Sequence, residues 1–327
     1  MLDVADAKRV EAVLTADVRC PNMRAAEWVV FAGQAPELTG QTKPTSRLEP
    51  GDAEVVKDLS PLARAVLRAR VPAGTDALKT GIPIRVSYEV TLRSRHLRPL
   101  RSDEKPLAVP DLSAADRTAY LADRGDADMS AAPCRAWLKD ANLMRAAGES
   151  DVDLARRVFC AIKAKFAYEY RPEMDRHASA VCRSTGSDCG GLSILVVAAL
   201  RANGVPARTL YGRWALSADP ADKVGGVAYF QEHVKAEFFA RGVGWVPVDM
   251  ASGVLHDKDP EGLRYFGQDD GDFIAFHADP ELELDTVHFG RQTLTQLQSP
   301  VFRVTGGGSL EPETVEQAWR VRDLPRR

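Results

Sequence analysis

Three residues in the second half of the chain have the side chains that thiol catalysis requires: Cys189, His233 and Asp249. A thiolate attacks an acyl carbon, an imidazole takes up and returns the proton, and a carboxylate fixes the imidazole tautomer. Their order along the chain is weak evidence by itself, because a buried structural cysteine and a hydrogen-bonded structural histidine are common. The segments around them therefore decide whether catalysis is the better interpretation.

A buried helix is predicted directly after Cys189. Apolar residues at helical spacing run from Leu192 to Leu200, Gly204 is the predicted C-cap, and Pro206 prevents continuation. A thiol in the first turn of such a helix lies near unpaired backbone N–H groups and the positive end of the helix dipole. Both favour an anion, so we expect the thiolate of Cys189 to be stabilised.

A β-hairpin is predicted further along the chain, from strands at residues 231–239 and 244–249. Because sequential antiparallel strands usually pair, His233 and Asp249 are expected to face each other across it. Alternation along the strands gives each one a set of residues on a shared face: His233, Lys235 and Glu237 on the first, and Trp245, Pro247 and Asp249 on the second.

Four motifs occur in order between about Asp151 and Met250. They are Ser-Asp-Cys at 187–189, Leu-Arg-Ala-Asn-Gly-Val-Pro-Ala-Arg at 200–208, His-Val-Lys-Ala-Glu at 233–237 and Gly-Trp-Val-Pro-Val-Asp at 244–249. Together they resemble the transglutaminase-like superfamily. The resemblance implies a papain-like thiol fold with Cys189 as nucleophile, His233 as base and Asp249 as the residue that orients the imidazole.

Several other residues near these motifs are candidates for substrate contact or support. Lys235 stands where the family usually has tryptophan, which implies an altered substrate channel. The backbone N–H of Cys189 is the candidate oxyanion donor, and no side-chain donor is identified. We predict channel or substrate-binding roles for Lys235, Gly190, Gly191 and Trp245, the two glycines because they would let a substrate backbone approach. Arg208 and Glu237 are predicted to form a buried, structural ion pair.

The remainder of the chain predicts the domain organisation. Alternating or β-branched runs at residues 27–31, 65–71 and 84–92 indicate strands, and a polar, proline-containing connector follows at 98–111. We therefore predict a β-rich, β-sandwich-like domain at 1–105, a helical connector at 106–150 and the thiol domain at 151–327. The predicted fold class is α+β, with helices of a papain-like transglutaminase core packed on an antiparallel sheet.

Composition excludes some classes of partner. The 43 Lys and Arg against 46 Asp and Glu give a net charge of −3 without a basic block, so nucleic-acid binding is not expected. No apolar run reaches the ~18 residues of a membrane span, so no membrane insertion is expected. The N-terminus lacks a signal-peptide pattern. If Met1 is native this predicts a cytoplasmic protein, whereas a trimmed signal peptide would place it in the periplasm or outside the cell.

Other potential sites are weaker. The five cysteines are an odd number without CxxC spacing, which argues against a disulfide framework or structural zinc. Cys182 could pair with Cys189, although an incidental free thiol is the simpler interpretation. Residues 269–272, Asp-Asp-Gly-Asp, are expected to form a solvated acidic turn because they lack the calcium-binding pattern. His177, His256, His277 and His288 lack metal-ligand spacing, so no metal or cofactor is expected.

The sequence thus predicts a thiol enzyme that acts on amide bonds of a peptide or protein through an acyl-enzyme. Hydrolysis, as in a peptidase or amidase, is favoured by analogy with bacterial members of the superfamily. Amine transfer that cross-links proteins is the first alternative. A non-catalytic binding module that retains the fold is the second, and the oligomeric state is left open.

Overall fold

The computed structural model describes residues 1–325, and the chain divides into two compact units. Unit 1 contains Met1–Asp6, Arg93–Leu210 and His233–Gly271, and unit 2 contains Ala7–Leu92, Tyr211–Glu232 and Asp272–Arg327. This division differs from the predicted succession of domains at 1–105, 106–150 and 151–327. The C-terminal strands pair with N-terminal strands inside unit 2, and such long-range pairing leaves no mark on local composition.

Seven helices and nineteen strands are present in the described residues. The helices are α1 (Asp76–Thr80), α2 (Ala114–Ala119), α3 (Ala132–Asp140), α4 (Asp151–Lys165), α5 (Ala178–Val181), α6 (Cys189–Ala202) and α7 (Met250–His256). None of these helices within residues 1–325 has the length and apolar character needed to cross a membrane.

The strands are β1 (Leu2–Arg19), β2 (Met23–Gly33), β3 (Gln41–Glu49), β4 (Glu54–Lys57), β5 (Ala65–Pro72), β6 (Gly81–Leu97), β7 (Ala167–Tyr168), β8 (Gly186–Ser187), β9 (Ala207–Trp214), β10 (Lys223–Val224), β11 (Val227–Ala228), β12 (Glu232–Ala240), β13 (Gly244–Val248), β14 (Gln268–Asp269), β15 (Phe273–Ala278), β16 (Leu282–Asp285), β17 (Arg291–Leu294), β18 (Val301–Gly308) and β19 (Thr314–Leu324). The predicted α+β class with antiparallel sheets is confirmed.

Unit 2 is built from antiparallel strands that come from both ends of the chain. One sheet has the order β18-β2-β5-β4, and β19 pairs with β1 in another sheet that includes β6 and β3. Strand β2 is buried on both faces, since Trp28 and Val30 join one apolar cluster and Val29 and Phe31 join another. Burial on both faces explains why residues 28–31 form a continuously apolar run.

Unit 1 has its own apolar core, built around α6. Every residue of α6 from Gly190 to Arg201 is buried, and α4, α5 and α7 pack against it. Helix α4 begins after its N-cap Ser150, whose hydroxyl accepts a hydrogen bond from the Asp153 N–H. Helix α6 ends at its C-cap Asn203, and Gly204 follows with a φ of 75°. The nucleophile candidate therefore lies at the first residue of a buried, central helix.

The predicted hairpin is formed by β12 and β13, which pair in antiparallel register. The register pairs Ala236 with Val248 and Phe239 with Trp245. Continued by one pair, it would place Asp249 opposite Lys235, with His233 two residues further along the same face. Asp249 itself follows β13 as the N-cap of α7.

Candidate active site

Cys189 is held at the start of α6 by two contacts between the helix and its surroundings. Asp188 is the N-cap residue, and its Oδ1 accepts the Gly191 N–H at 3.0 Å. One turn into the helix, Ser193 Oγ donates to the Val234 carbonyl at 3.1 Å. A backbone hydrogen bond from Val234 also reaches the Cys189 sulfur. The thiol therefore lies against β12, beside the residue that follows His233.

His233 and Asp249 are hydrogen-bonded to each other in the interior of unit 1. Nε2 of His233 lies 3.0 Å from Asp249 Oδ2, and the two residues are 7% and 4% exposed. The other carboxylate oxygen, Oδ1, accepts the Ser252 N–H at 3.0 Å at the start of α7. Because both oxygens are bonded, the orientation of the carboxylate is fixed, and so is the ring nitrogen of His233 that faces it.

The thiol does not have the electrostatic environment expected from the sequence. Burial raises the pKa of Cys189, and the neighbouring Asp188 and Asp249 carboxylates raise it further. The Val234 hydrogen bond and the Arg176 guanidinium lower it, without reversing the direction. The expectation that the helix N-terminus stabilises the thiolate is therefore wrong for this site, where the protonated thiol is the favoured state.

Lys235 is buried close to the orienting carboxylate. The residue is 5% exposed. Its Nζ lies 4.0 Å from Asp249 Oδ2 and 3.6 Å from Asp269 Oδ1. Asp269 also accepts from Arg95 Nη2 at 2.7 Å. The sequence predicts a channel residue at this position. The structure places the ammonium group between two buried carboxylates.

The chain of charges continues from Arg95 to the predicted ion pair. Arg95 bonds Glu237 Oε1, and Arg208 Nε and Nη2 donate to Glu237 Oε2 at 3.0 and 2.8 Å. The Arg208 guanidinium carbon lies 3.9 Å from the centre of the Trp245 ring. The predicted Arg208–Glu237 pair is thus present, and Trp245 covers its arginine by a cation–π contact. We call the six ionic residues the buried charge network: Lys235, Asp249, Asp269, Arg95, Glu237 and Arg208.

The glycines after Cys189 have neighbours inside the protein. A Cβ at Gly191 would lie 2.1 Å from Ser187 Oγ and 3.1 Å from Val181 Cγ2. At Gly190 it would meet Arg176 Cδ and Asp188 Oδ1, each at 3.3 Å. Internal packing therefore accounts for Gly191, and its predicted contact with substrate has no support in the geometry.

Sequence reasoning missed three ionic residues of the site. Asp269 was expected in a solvated turn, yet it is 8% exposed and paired with Arg95, so that expectation is wrong. Arg95 lies beyond the last apolar position of the alternating pattern in β6, so the sequence gave no indication that this residue is buried or paired. Arg176 donates to Asp188 Oδ2 from Nε at 2.8 Å and from Nη2 at 2.6 Å. Only its separation of twelve residues from Asp188 could have suggested a local contact.

Cys182 has partners other than the nucleophile. Its thiol donates to the Ser179 carbonyl at 3.4 Å and shares a hydrogen bond with the Cys134 thiol. Burial raises the pKa of both thiols. The five cysteines are free thiols, and no three His, Cys, Asp or Glu side chains in residues 1–325 are grouped to hold a metal ion.

Comparison with known proteins identifies the core. Residues 141–250, which include Cys189, His233 and Asp249, match the transglutaminase-like superfamily. An uncharacterised protein of Haemophilus influenzae is 29% identical over 122 residues, covering 29% of this chain and 32% of that protein. The match thus spans about a third of that relative.

One solved structure is similar at the level of the fold, and a second aligns with a lower score. A Cytophaga hutchinsonii protein named a "Putative Cysteine Protease" aligns over 100% of this chain and 94% of its own, with a TM-score of 0.57 and 12% identity. The periplasmic domain of TgpA from Pseudomonas aeruginosa aligns over 77% of this chain and 92% of its own, with a TM-score of 0.39 and 18% identity. The resemblance inferred from the four motifs is confirmed, and the chain carries a transglutaminase-like core within residues 141–250.

Proposed function

We propose that this protein is a thiol hydrolase that cleaves amide bonds of a peptide or protein through an acyl-enzyme on Cys189. The observation that carries the proposal is the buried His233–Asp249 hydrogen bond on a strand whose next residue, Val234, donates a backbone hydrogen bond to the Cys189 sulfur at the first residue of α6. A fixed imidazole beside a cysteine is the arrangement that nucleophilic catalysis needs. The name of the Cytophaga protein supports a proteolytic reaction by analogy.

The raised thiol pKa assigns the proton steps of the proposed reaction. Since the resting thiol of Cys189 keeps its proton, His233 must remove that proton as the sulfur attacks the carbonyl carbon. Nε2 is hydrogen-bonded to Asp249, so Nδ1 is the nitrogen proposed to accept the proton and pass it to the leaving amine. Asp249 would stabilise the imidazolium while it exists. Water would then attack the thioester and release the acid.

A test should detect the acyl-enzyme directly. The protein would be mixed with a p-nitrophenyl ester, and the acylated peptide would be located by mass spectrometry. We expect acylation at Cys189, lost in Cys189→Ala and reduced about 10³-fold or more in His233→Gln and Asp249→Asn. Cys160→Ala, at a half-buried cysteine on α4, is the matched control and should behave as wild type.

The fate of the acyl group separates the candidate reactions. Adding an amine such as glycine methyl ester should leave free acid as the main product if water is the acceptor. Predominant amide product would instead indicate amine transfer. If Cys189 is not acylated under conditions that acylate a model thiol, the catalytic proposal fails and a binding module becomes the better interpretation.

A further inference from the structure

Both backbone polar groups of Val234 on β12 are bound by α6. The Val234 N–H donates to the Cys189 sulfur, and the Val234 carbonyl accepts a hydrogen bond from Ser193 Oγ at 3.1 Å. The N–H and C=O of one residue in a strand point to the same side, and residues four apart in a helix lie on the same face. The two bonds therefore join one face of α6 to one side of β12.

Packing alone does not account for a serine at position 193. Ser193 is 0% exposed, in a helix whose residues from Gly190 to Arg201 are all buried. A hydroxyl in such a place costs free energy unless it is hydrogen-bonded, whereas alanine would fill the space without that requirement. Serine within a helix commonly bonds the carbonyl four residues earlier, but the Ser193 hydroxyl donates across to β12.

The contact lies where the two parts of the candidate site meet. The N–H that reaches the sulfur belongs to the peptide group that joins His233 to Val234. A slide of β12 by one residue along α6 would break both bonds and change the position of His233 relative to the thiol. Because the two bonds are one helical turn apart, they fix the rotation of α6 against β12 as well as its position.

We propose that Ser193 is a positioning residue that holds the Val234 N–H against the Cys189 sulfur and keeps the nucleophile in register with the strand that carries His233. The inference rests on the proposed function, because it concerns the attack by Cys189. A hydrogen bond from an N–H favours the thiolate over the thiol. Ser193 thus supports the attacking form of the sulfur by acting through Val234.

The role of Ser193 can be separated from that of the charges around the thiol. Charged or titratable side chains lie there on several elements: Asp188 at the N-cap of α6, Asp249 at the start of α7, Arg176 before α5, and His233 and Lys235 on β12. Replacing the uncharged Ser193 by alanine removes none of these groups. A change in the reactivity of Cys189 in that variant therefore reports on the contact with Val234.

The test is the rate of Cys189 alkylation by iodoacetamide between pH 5 and 9, followed by mass spectrometry of the peptide. Alkylating agents attack the thiolate. In Ser193→Ala, the rate at each pH should fall about fivefold, as expected for the weakening of one hydrogen bond. The profile is then displaced by about 0.7 pH unit to higher pH. Ser193→Thr keeps the hydroxyl and should keep the wild-type profile.

Ser187→Ala is the matched control. Ser187 is 1% exposed and precedes Cys189 by two residues, but its hydroxyl has no hydrogen-bond partner within residues 1–325. The variant loses the same atom from a buried place near the thiol, and its alkylation profile should equal that of wild type. A Ser193 that only stabilised the packing of α6 on β12 would lower the urea midpoint when replaced and leave alkylation of the folded protein unchanged.

A second variant keeps the test decisive if Ser193→Ala does not fold. Ser193→Cys replaces the hydroxyl by a weaker donor, so alkylation of Cys189 should slow about twofold, with fragment spectra separating the two positions. A Ser193→Ala or Ser193→Cys protein that is folded by circular dichroism and keeps the wild-type profile overturns the inference. So does an equal slowing in Ser187→Ala.

The two proposals fail in different ways. If the ester acylates Cys189 but the alkylation rate is the same with and without the Ser193 hydroxyl, the function stands and the positioning role fails. If alkylation slows as expected but no acyl-enzyme forms, the role of Ser193 stands and the proposed hydrolase fails. If both proposals hold, acylation by the ester should also slow about fivefold in Ser193→Ala.

Discussion

Neutralising Glu237 should destabilise unit 1 more than any single surface change. Glu237 is 1% exposed and its two oxygens bind Arg95 and Arg208. In Glu237→Gln, Arg95 keeps Asp269 at 2.7 Å, whereas Arg208 keeps only neutral partners such as the Trp245 ring at 3.9 Å. Breaking a buried pair from one side costs about 3–5 kcal/mol. Because Arg95 retains a carboxylate partner, we expect a loss at the lower end of this range, about 3 kcal/mol in the free energy of unfolding.

The assay is urea unfolding followed by far-ultraviolet circular dichroism and tryptophan fluorescence. Glu169→Gln is the matched control within unit 1, since its 3.5 Å contact with Arg171 is exposed and should be worth less than about 1 kcal/mol. The double variant Glu237→Gln with Arg208→Met removes both sides of the pair. It should be at least about 1 kcal/mol more stable than the sum of the two single effects predicts.

This cycle can refute the reasoning clearly. A loss below about 1 kcal/mol for Glu237→Gln would mean that water or side-chain movement replaces the carboxylate, so the pair would not hold β12 and β9 together. Strict additivity in the double variant would mean that Glu237 and Arg208 do not interact energetically despite their 2.8 Å contact.

Two further predictions concern packing and acid. Gly191→Ala should lower the free energy of unfolding by about 1–3 kcal/mol, because its Cβ would lie 2.1 Å from Ser187 Oγ. Gly74→Ala, with nothing within 4 Å, is the control and should stay within about 0.5 kcal/mol; equal effects would contradict the clash. Burial raises the pKa values of Glu237 and Asp269, but Arg95 and other cations outweigh it, so both lie below their unfolded values. The contribution of these two carboxylates to the free energy of unfolding is therefore full above about pH 4.3 and is lost as the pH falls further. Urea midpoints that stay constant from pH 6 to pH 3 would contradict this prediction.

The candidate triad could be proposed from the sequence because the signals for it are local. Alternation with period two assigned His233 and Glu237 to one strand face, and the turn at 240–243 fixed which strands pair. The four motifs then gave the resemblance to the transglutaminase-like superfamily, which the match over residues 141–250 confirms. Each of these inferences uses residues that lie within a few positions of one another, where backbone geometry determines which side chains share a face.

The buried charge network could not be found in this way. Arg95 and Asp269 are separated by 174 positions, and their contact depends on the pairing of β6 with β14. Neither residue lies in an apolar pattern that would indicate burial. In a sequence, a charged residue that is buried with a partner cannot be distinguished from a charged residue at the surface. The division of the chain was hidden for the same reason, since β19 pairs with β1 from the opposite end.

The thiol shows how a correct structural prediction can still give the wrong electrostatic sign. A helix N-terminus contributes roughly half a positive charge, spread over its first turn. The N-cap residue of α6 is Asp188, whose carboxylate adds a full negative charge next to Cys189. The Asp249 carboxylate adds a second negative charge nearby. Arg176 offsets only the first of these, and burial disfavours the thiolate as well. The residue that lets the helix begin at Cys189 therefore opposes its ionisation. A cysteine placed this way needs a base at the moment of attack, which is the role proposed for His233.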